Sequence, residues 1–455
     1  MSTIFKILPL FIWLILFQMN VGAQTQLDQY IDFALRNNDG IKQQQFQLDK
    51  AMAALEEAKT LFKPSVAFQT TYTRADGGRT FAIPVGDMLN PVYSTLNQLT
   101  NTHNFPHLQN QSFLLNPDNF YDAKFHTTMP LINSEIYYNK RMKQQAISLE
   151  QASVNVYKRS LVKDIKTAYY QYYQALQAIK IYKSALELVD KNITVNESLY
   201  KNGVRNSTSL TRAEAEKHKV MAMITEAENN SKNARAYFNF LLNRGQDEPI
   251  AIDSLAEQLV GAENEFNLEA SIGHREELQQ LGIKKDILQL NTGMEKSYLV
   301  PHLNTFLDLG SQAFNWEVNN QSRYYFFGLS LDWNVFAWGQ HKYKIQQAAL
   351  DVNTTEAQID ETEKAFHLQL VQAINNYNTA VSGYQDAISQ RTYSEKYYTD
   401  QAKAYKEGEL LYIELLDAQN QLTLARLQVS LAYAKVQIAK AEAERAQASY
   451  PLNNL

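Results

Sequence analysis

The chain repeats itself at long range. Tyr200-Lys201-Asn202-Gly203 runs on through Ser209-Leu210 to Ala213, and Tyr405-Lys406-Glu407-Gly408 runs on through Glu414-Leu415 to Ala418. Tyr, Lys, Gly, Leu and Ala recur at one constant offset of 205 residues. A second pair agrees: Leu61-Phe62-Lys63-Pro64 and Leu299-Val300-Pro301 each precede a strand-like run. Solenoid units repeat every ~20–50 residues, so this is a duplicated half-protein, with a first repeat over 24–250 and a second over 251–455. Whatever one half builds, the other is expected to build again.

Four segments alternate with period two, the strand signature. In 65–73, Val66, Phe68, Thr70 and Tyr72 share a face; in 120–130, Tyr121, Ala123, Phe125, Thr127 and Met129 oppose Asp122, Lys124, His126 and Thr128. In 302–310, Leu303, Thr305, Leu307 and Leu309 oppose His302, Asn304 and Asp308, with Phe306 as the exception. In 324–335, Tyr325, Phe327, Leu329, Leu331, Trp333 and Val335 oppose Tyr324, Phe326, Gly328, Ser330, Asp332 and Asn334. Runs of about 9–12 residues, apolar on one side and polar on the other, suit either a membrane-spanning β-strand or an ordinary half-buried antiparallel sheet.

The remainder reads as long helix. No Pro or Gly occurs from Ile136 to Tyr200, and Leu161, Ile165, Ala168, Tyr172, Ala175, Ile179, Tyr182, Leu186, Val189 and Ile193 follow the four-three rhythm of a coiled-coil seam. Leu411, Leu415, Ala418, Leu422, Ala425, Val429, Ala432, Val436 and Ala439 repeat it. The expected order is helix 27–61, strand 65–73, loop 74–119, strand 120–130, helix 136–200, a turn at Gly203 and helix 208–242. It recurs as helix 268–297, strands 302–310 and 324–335, helix 340–405, a turn at Gly408 and helix 411–447. The halves differ at residues 74–119, rich in Asn and Pro, expected as a structureless external loop. Glu56-Glu57 and Glu276-Glu277 read as solvated helix faces, and Tyr172 and Tyr182 as helix packing.

Residues 1–23 have the form of a secretory signal peptide: Lys6, a short apolar run over Ile7–Phe17, and Val21-Gly22-Ala23 as a small-residue cleavage site. The chain has no cysteine, which excludes disulfides, thiolate chemistry and a lipidated N-terminal Cys. A net charge of −5 without a long basic run argues against nucleic acid. The eight histidines are scattered, His103 and His107 included, with no metal-ligand set. No phosphate-binding glycine loop or nucleophile elbow is present. Neither enzyme chemistry nor a cofactor is expected.

With these features in this order, twice, the chain resembles the TolC family of outer-membrane efflux proteins. The carriers are the approaches Asn37-Asn38 to Pro64 and His274-Arg275 to Pro301, and the strand exits Pro130-Leu131-Ile132-Asn133 and Asn334-Val335-Phe336-Ala337-Trp338-Gly339. The Tyr-Lys-x-Gly tips complete the set, and the resemblance covers nearly the whole chain beyond residue 23. It implies a mixed α plus transmembrane β fold: a homotrimer in outer-membrane lipid, four strands per protomer in a shared twelve-stranded β-barrel, and long antiparallel helices forming a periplasmic α-barrel. The implied function is a gated, passive exit duct of a tripartite efflux or type I secretion system. The implied partners are a periplasmic adaptor (membrane fusion protein) and an inner-membrane RND or ABC pump. The alternatives are an exported coiled-coil scaffold and, remotely, a periplasmic hydrolase.

The resemblance also places a gate. Gly203 and Gly408 match the tip glycines, which with Val204 and Glu409 would meet the adaptor. Glu414 and Asp417 match two gate carboxylates, and Tyr405 a gate tyrosine; a solvated helix face is the plain alternative for the two acids. The family's gate arginine is Leu410 here, and the aspartate it pairs with is Ser209, so that ion pair is absent. Arg205 is expected to reach Glu414 or Asp417 instead.

Overall fold

The computed structural model describes residues 25–252, 266 and 272–452. The proposed signal peptide and most of the linker around 251–267 lie outside them. In order the elements are α1 (Gln26–Asn37), α2 (Asp39–Thr60), β1 (Ser65–Thr73), β2 (Thr80–Ile83), α3 (Val85–Thr100), β3 (Gln111–Leu114), β4 (Phe120–Ile132), α4 (Ser134–Lys201) and α5 (Ser207–Leu241). Then follow α6 (Glu276–Lys296), β5 (His302–Phe314), β6 (Arg323–Asp332), α7 (Gln340–Lys406) and α8 (Tyr412–Gln447). The order helix, strand, strand, long helix, turn, helix occurs twice, with the opening helix divided and β2, α3 and β3 inserted between the strands in the first half.

The chain forms two compact units, and each draws on both halves of the sequence. Among the described residues one unit, helical, draws on 25–52, 145–252, 272–288 and 351–452; the other combines 53–144 and 289–350 and holds the strands. Folding has interleaved the repeats.

In the helical unit the second seam is buried from Leu415 onward: Leu415, Ala418, Leu422, Ala425, Val429, Ala432, Val436 and Ala439 are core residues, but Leu411, expected to open the seam, precedes α8 and is 59 % exposed. On α4 the seam turns. Leu161, Ile165, Ala168 and Tyr172 are buried, but further along the buried positions become Ala185, Val189, Asn192 and Asn196, leaving Leu186 and Ile193 half-buried. A straight helix at 3.6 residues per turn drifts against a 3.5-residue repeat, by ~20° per heptad. The long helices are held mainly by this packing, as helices generally are.

Several expectations are corrected. The first helix is two, α1 and α2, divided at Asn38, whose backbone is extended (ψ 129°). Its side-chain oxygen accepts from the N–H groups of Gly40 and Ile41 at 2.8 and 3.2 Å, so one asparagine ends one helix and starts the next. Residues 74–119 are not structureless. They carry the β2–β3 hairpin and α3, pinned by Asn90 and Asn97, which hydrogen-bond the backbone of Leu108 and Phe105. α6 begins at Glu276 rather than 268, and β6 ends at Asp332 rather than 335.

Glu56 and Glu57 are exposed, but Glu276 and Glu277 are not a solvated face. Glu276 is 6 % exposed and takes the Arg159 guanidinium at 2.6 Å. Glu277 is bound by Arg275 at 3.0 Å and by Arg445. Both acids start α6, where the helix dipole favours negative charge. Burial alone would raise the Glu277 pKa, but the hydrogen bonds from Arg275 and Arg445 outweigh it and hold the carboxyl at about 2. A folded pKa below the ordinary 4.5 means this group's stabilisation is present above pH ~4.5 and is lost as pH falls towards ~2. Thermal unfolding midpoints should therefore fall across that window, and Glu277→Gln should flatten the fall while lowering the midpoint at pH 7. An unchanged acid limb in the variant would refute the assignment.

Candidate functional site

The larger sheet has the order β1-β4-β5-β6, all antiparallel. Its register aligns the alternation of all four strands. Phe68, Phe125, Leu309 and Tyr325 form one cross-strand row, and Thr127, Leu307 and Phe327 form part of the next. This apolar face is open: Phe327 is 64 % and Leu329 62 % exposed. A contiguous apolar surface of this extent is not left to water in a soluble protein. Aromatic groups sit towards both ends. Trp316 stacks on Tyr72 and Tyr121 with centroids 5.2 and 5.4 Å away, and Phe336 meets Trp338 edge-on beyond the end of β6.

The opposite face holds charge. Lys124 Nζ lies 3.1 Å from Asp308, whose other oxygen is bound by the His126 ring; Tyr324 donates to Asp122 at 2.7 Å. Among the described residues the outer strands β1 and β6 each have one ladder partner, so each offers an edge free of them. Among the described residues no helix is long and apolar enough to cross a membrane.

The two helical turns have matching geometry. Gly203 (φ +69°) and Gly408 (φ +85°) are left-handed. Gly203 N–H donates to Tyr200 O, and Val204 N–H to Leu199 O; Gly408 donates to Tyr405 O, and Glu409 to Ala404 O. A Cβ on either glycine would meet nothing within 4 Å, so the backbone conformation, not space, demands glycine there.

Arg205 joins the two turns. Its guanidinium donates to Leu410 O at 2.6 Å, reaches Gly408 O at 3.5 Å, and lies 5.6 Å from the centre of the Tyr405 ring. No ion pair forms with Glu414 or Asp417, contrary to the reach expected for Arg205. Glu414 is engaged with its own helix, accepting from Leu411 N–H at 3.0 Å in the capping position of α8. Asp417 accepts from Gln421 at 2.6 Å. Both carboxylates are exposed, as are Gly203, Val204, Gly408 and Glu409, while Ser209 and Leu410 are half-buried.

Behind the turns lies a buried polar chain that the sequence reading missed. Tyr405, 2 % exposed, donates to Asn196 Oδ1 at 2.5 Å. Asn196 donates to Asn192 O, Asn192 to Gln419 Oε1 at 2.7 Å, and Gln419 to Ala185 O. It ties α4, α7 and α8 together. Tyr412 packs in the same cluster beside Tyr405, Leu415 and Leu416, with no partner for its hydroxyl. Burial, reinforced by Glu216, raises its pKa well above the ordinary value and keeps it neutral. A signal existed: Asn192 and Asn196 follow Val189 at the spacing of the seam itself.

Residues 268–448 match the family model described as outer membrane efflux protein. No curated protein sequence matches the chain. The fold matches solved structures at low identity. The Campylobacter jejuni CmeC outer membrane channel has a TM-score of 0.73 at 14 % identity, covering 93 % of this chain and 85 % of that one. The Neisseria gonorrhoeae MtrE outer membrane channel, in its open state, has 0.71 at 15 %, covering 93 % and 88 %. The outer membrane protein VceC of Vibrio cholerae has 0.71 at 13 %, covering 93 % and 96 %. The fold is thus that of outer-membrane channels, as the resemblance implied. The second half of this chain carries the sequence pattern of the outer membrane efflux proteins.

Proposed function

We propose that this protein is a gated outer-membrane channel, the passive exit duct of an efflux or secretion assembly. One observation carries the reading: a four-stranded sheet with one continuous exposed apolar face, one charged face and two free edges. An open edge is not stable in lipid, because unpaired N–H and C=O groups there have no water to bond. Lateral closure by identical neighbours answers this, and three copies give a twelve-stranded barrel with an even strand number. The apolar face then meets lipid and the charged face lines the pore. Residues 74–119 lie outside the cell, and 1–23 direct export.

The helical turns form the periplasmic tip, where Gly203, Val204, Gly408 and Glu409 are positioned to meet an adaptor linked to an RND or ABC pump. Glu414 and Asp417, repeated by symmetry, form carboxylate rings that favour cations, and Arg205 with Tyr405 holds the tip closed. Nothing in these sites supports catalysis, so transport energy comes from the pump.

The test exploits the absence of cysteine. The protein should extract only with detergent, run as a trimer and conduct in planar bilayers. In intact cells a membrane-impermeant maleimide should label Thr102→Cys and not Val204→Cys. A detergent-independent monomer without conductance would instead favour the exported scaffold.

A further inference from the structure

Phe306 is the residue that breaks the alternation of β5, and the register shows what surrounds it. It lies on the charged face, between Thr128 on β4 and Gly328 on β6. A Cβ on Gly328 would collide with its ring. Phe326, the cross-strand partner of Asp308, packs against Phe306 at 5.6 Å and is 59 % exposed. Gly310 plays the corresponding part for Tyr324: a Cβ there would stand 3.1 Å from the tyrosine ring. Two apolar rings thus stand on a face otherwise given to charge, and two glycines leave room, Gly328 for Phe306 and Gly310 for the adjoining Tyr324.

The same rings border carboxylates. Asp308 is only 5 % exposed and shares Lys124 at 3.1 Å with Asp122 at 3.9 Å. Two aspartates face one lysine, with His126 hydrogen-bonded to Asp308. On a water-facing wall, the exposed ring of Phe326 and the half-buried ring of Phe306 gain nothing from the solvent, but their negative quadrupole attracts cations, more so beside anions.

We propose that Phe306, Phe326 and Tyr324, with Asp122 and Asp308, form a binding subsite for amphipathic organic cations on the barrel wall. The inference rests on the channel reading, which makes this face the lumen. Rings contact the flat apolar body of the ligand, and the carboxylates draw its charge. The subsite lies on the strands and is separate from the carboxylates of the helical tip.

The experiment is block of single-channel current in planar bilayers, with tetraphenylphosphonium as probe and tetraethylammonium as a control of equal charge without rings. The channel carries Glu414→Gln and Asp417→Asn, so that the tip carboxylates do not contribute. Tetraphenylphosphonium should block at lower concentration than tetraethylammonium. Phe306→Leu and Phe326→Leu, which keep apolar volume, should each raise its half-blocking concentration about threefold. Asp122→Asn should raise it as well, and Lys124→Gln should lower it. Equal block in the Glu414→Gln, Asp417→Asn channel with and without the leucine substitutions would overturn the subsite and leave the channel standing. No conductance in the wild type would overturn the channel reading and the subsite with it.

Discussion

Arg205→Ala should raise the resting conductance of the reconstituted protein by at least about 30-fold. The side chain makes a charge-assisted hydrogen bond to Leu410 O at 2.6 Å and lies against the Tyr405 ring at 5.6 Å. The first contact is worth about 1.5–3 kcal/mol and the second about 0.5–1 kcal/mol. Both link the turn of the first repeat to that of the second, so both are broken when the hairpins part. A loss of ~2 kcal/mol from one copy alone multiplies the open population by about 30, and three copies acting together give more. Arg205→Lys should fall between, since an ammonium reaches a carbonyl but lacks the planar fork and face. Neutralising Glu414 should not raise resting conductance, because Arg205 is bonded to backbone and not to that carboxylate. A large Glu414→Gln leak with a silent Arg205→Ala would reverse this account of the gate.

The strands were legible because a sheet between two environments writes its faces directly into the sequence, every second residue. The faces carrying Phe68, Phe125, Leu309 and Tyr325 were readable strand by strand, while the register that lines them up came only from the fold. The breaks were less legible. Asn38 divides two helices through side-chain bonds that composition does not display. The β2–β3 hairpin and α3 hid among Asn and Pro because Asn90 and Asn97 act there as backbone partners, not as loop formers.

Residues of the candidate site divide in the same way. Gly203 and Gly408 were found because a repeated turn must repeat its left-handed position. Glu276 and Glu277 were misread because, apart from the neighbouring Arg275, their partners Arg159 and Arg445 lie 117 and 168 residues away in the chain. Arg205 was found by its place after the tip glycine, but its partner is a carbonyl, and backbone acceptors carry no sequence mark. Tyr405 joins both groups: its position came from the repeat, its bond to Asn196 only from the fold.

Leu329→Arg should abolish outer-membrane insertion, while Ser330→Arg, one residue on, should insert and conduct. Leu329 stands opposite Thr305 on the apolar face and Ser330 opposite Asn304 on the charged face. Because side chains alternate, adjacent positions on one strand test the two faces with the same substitution and nearly the same backbone. An arginine facing lipid near the bilayer midplane costs about 2–4 kcal/mol in a barrel. A closed trimer carries that cost three times, about 6–12 kcal/mol, comparable to the whole stability of a domain. The same side chain in a water-filled lumen keeps its hydration and changes only the field there, so Ser330→Arg should shift the reversal potential in a salt gradient towards anions. Membrane fractionation and bilayer recording read both outcomes. If the two variants insert equally well, the apolar face does not meet lipid, and a soluble sheet buried against another partner replaces the barrel.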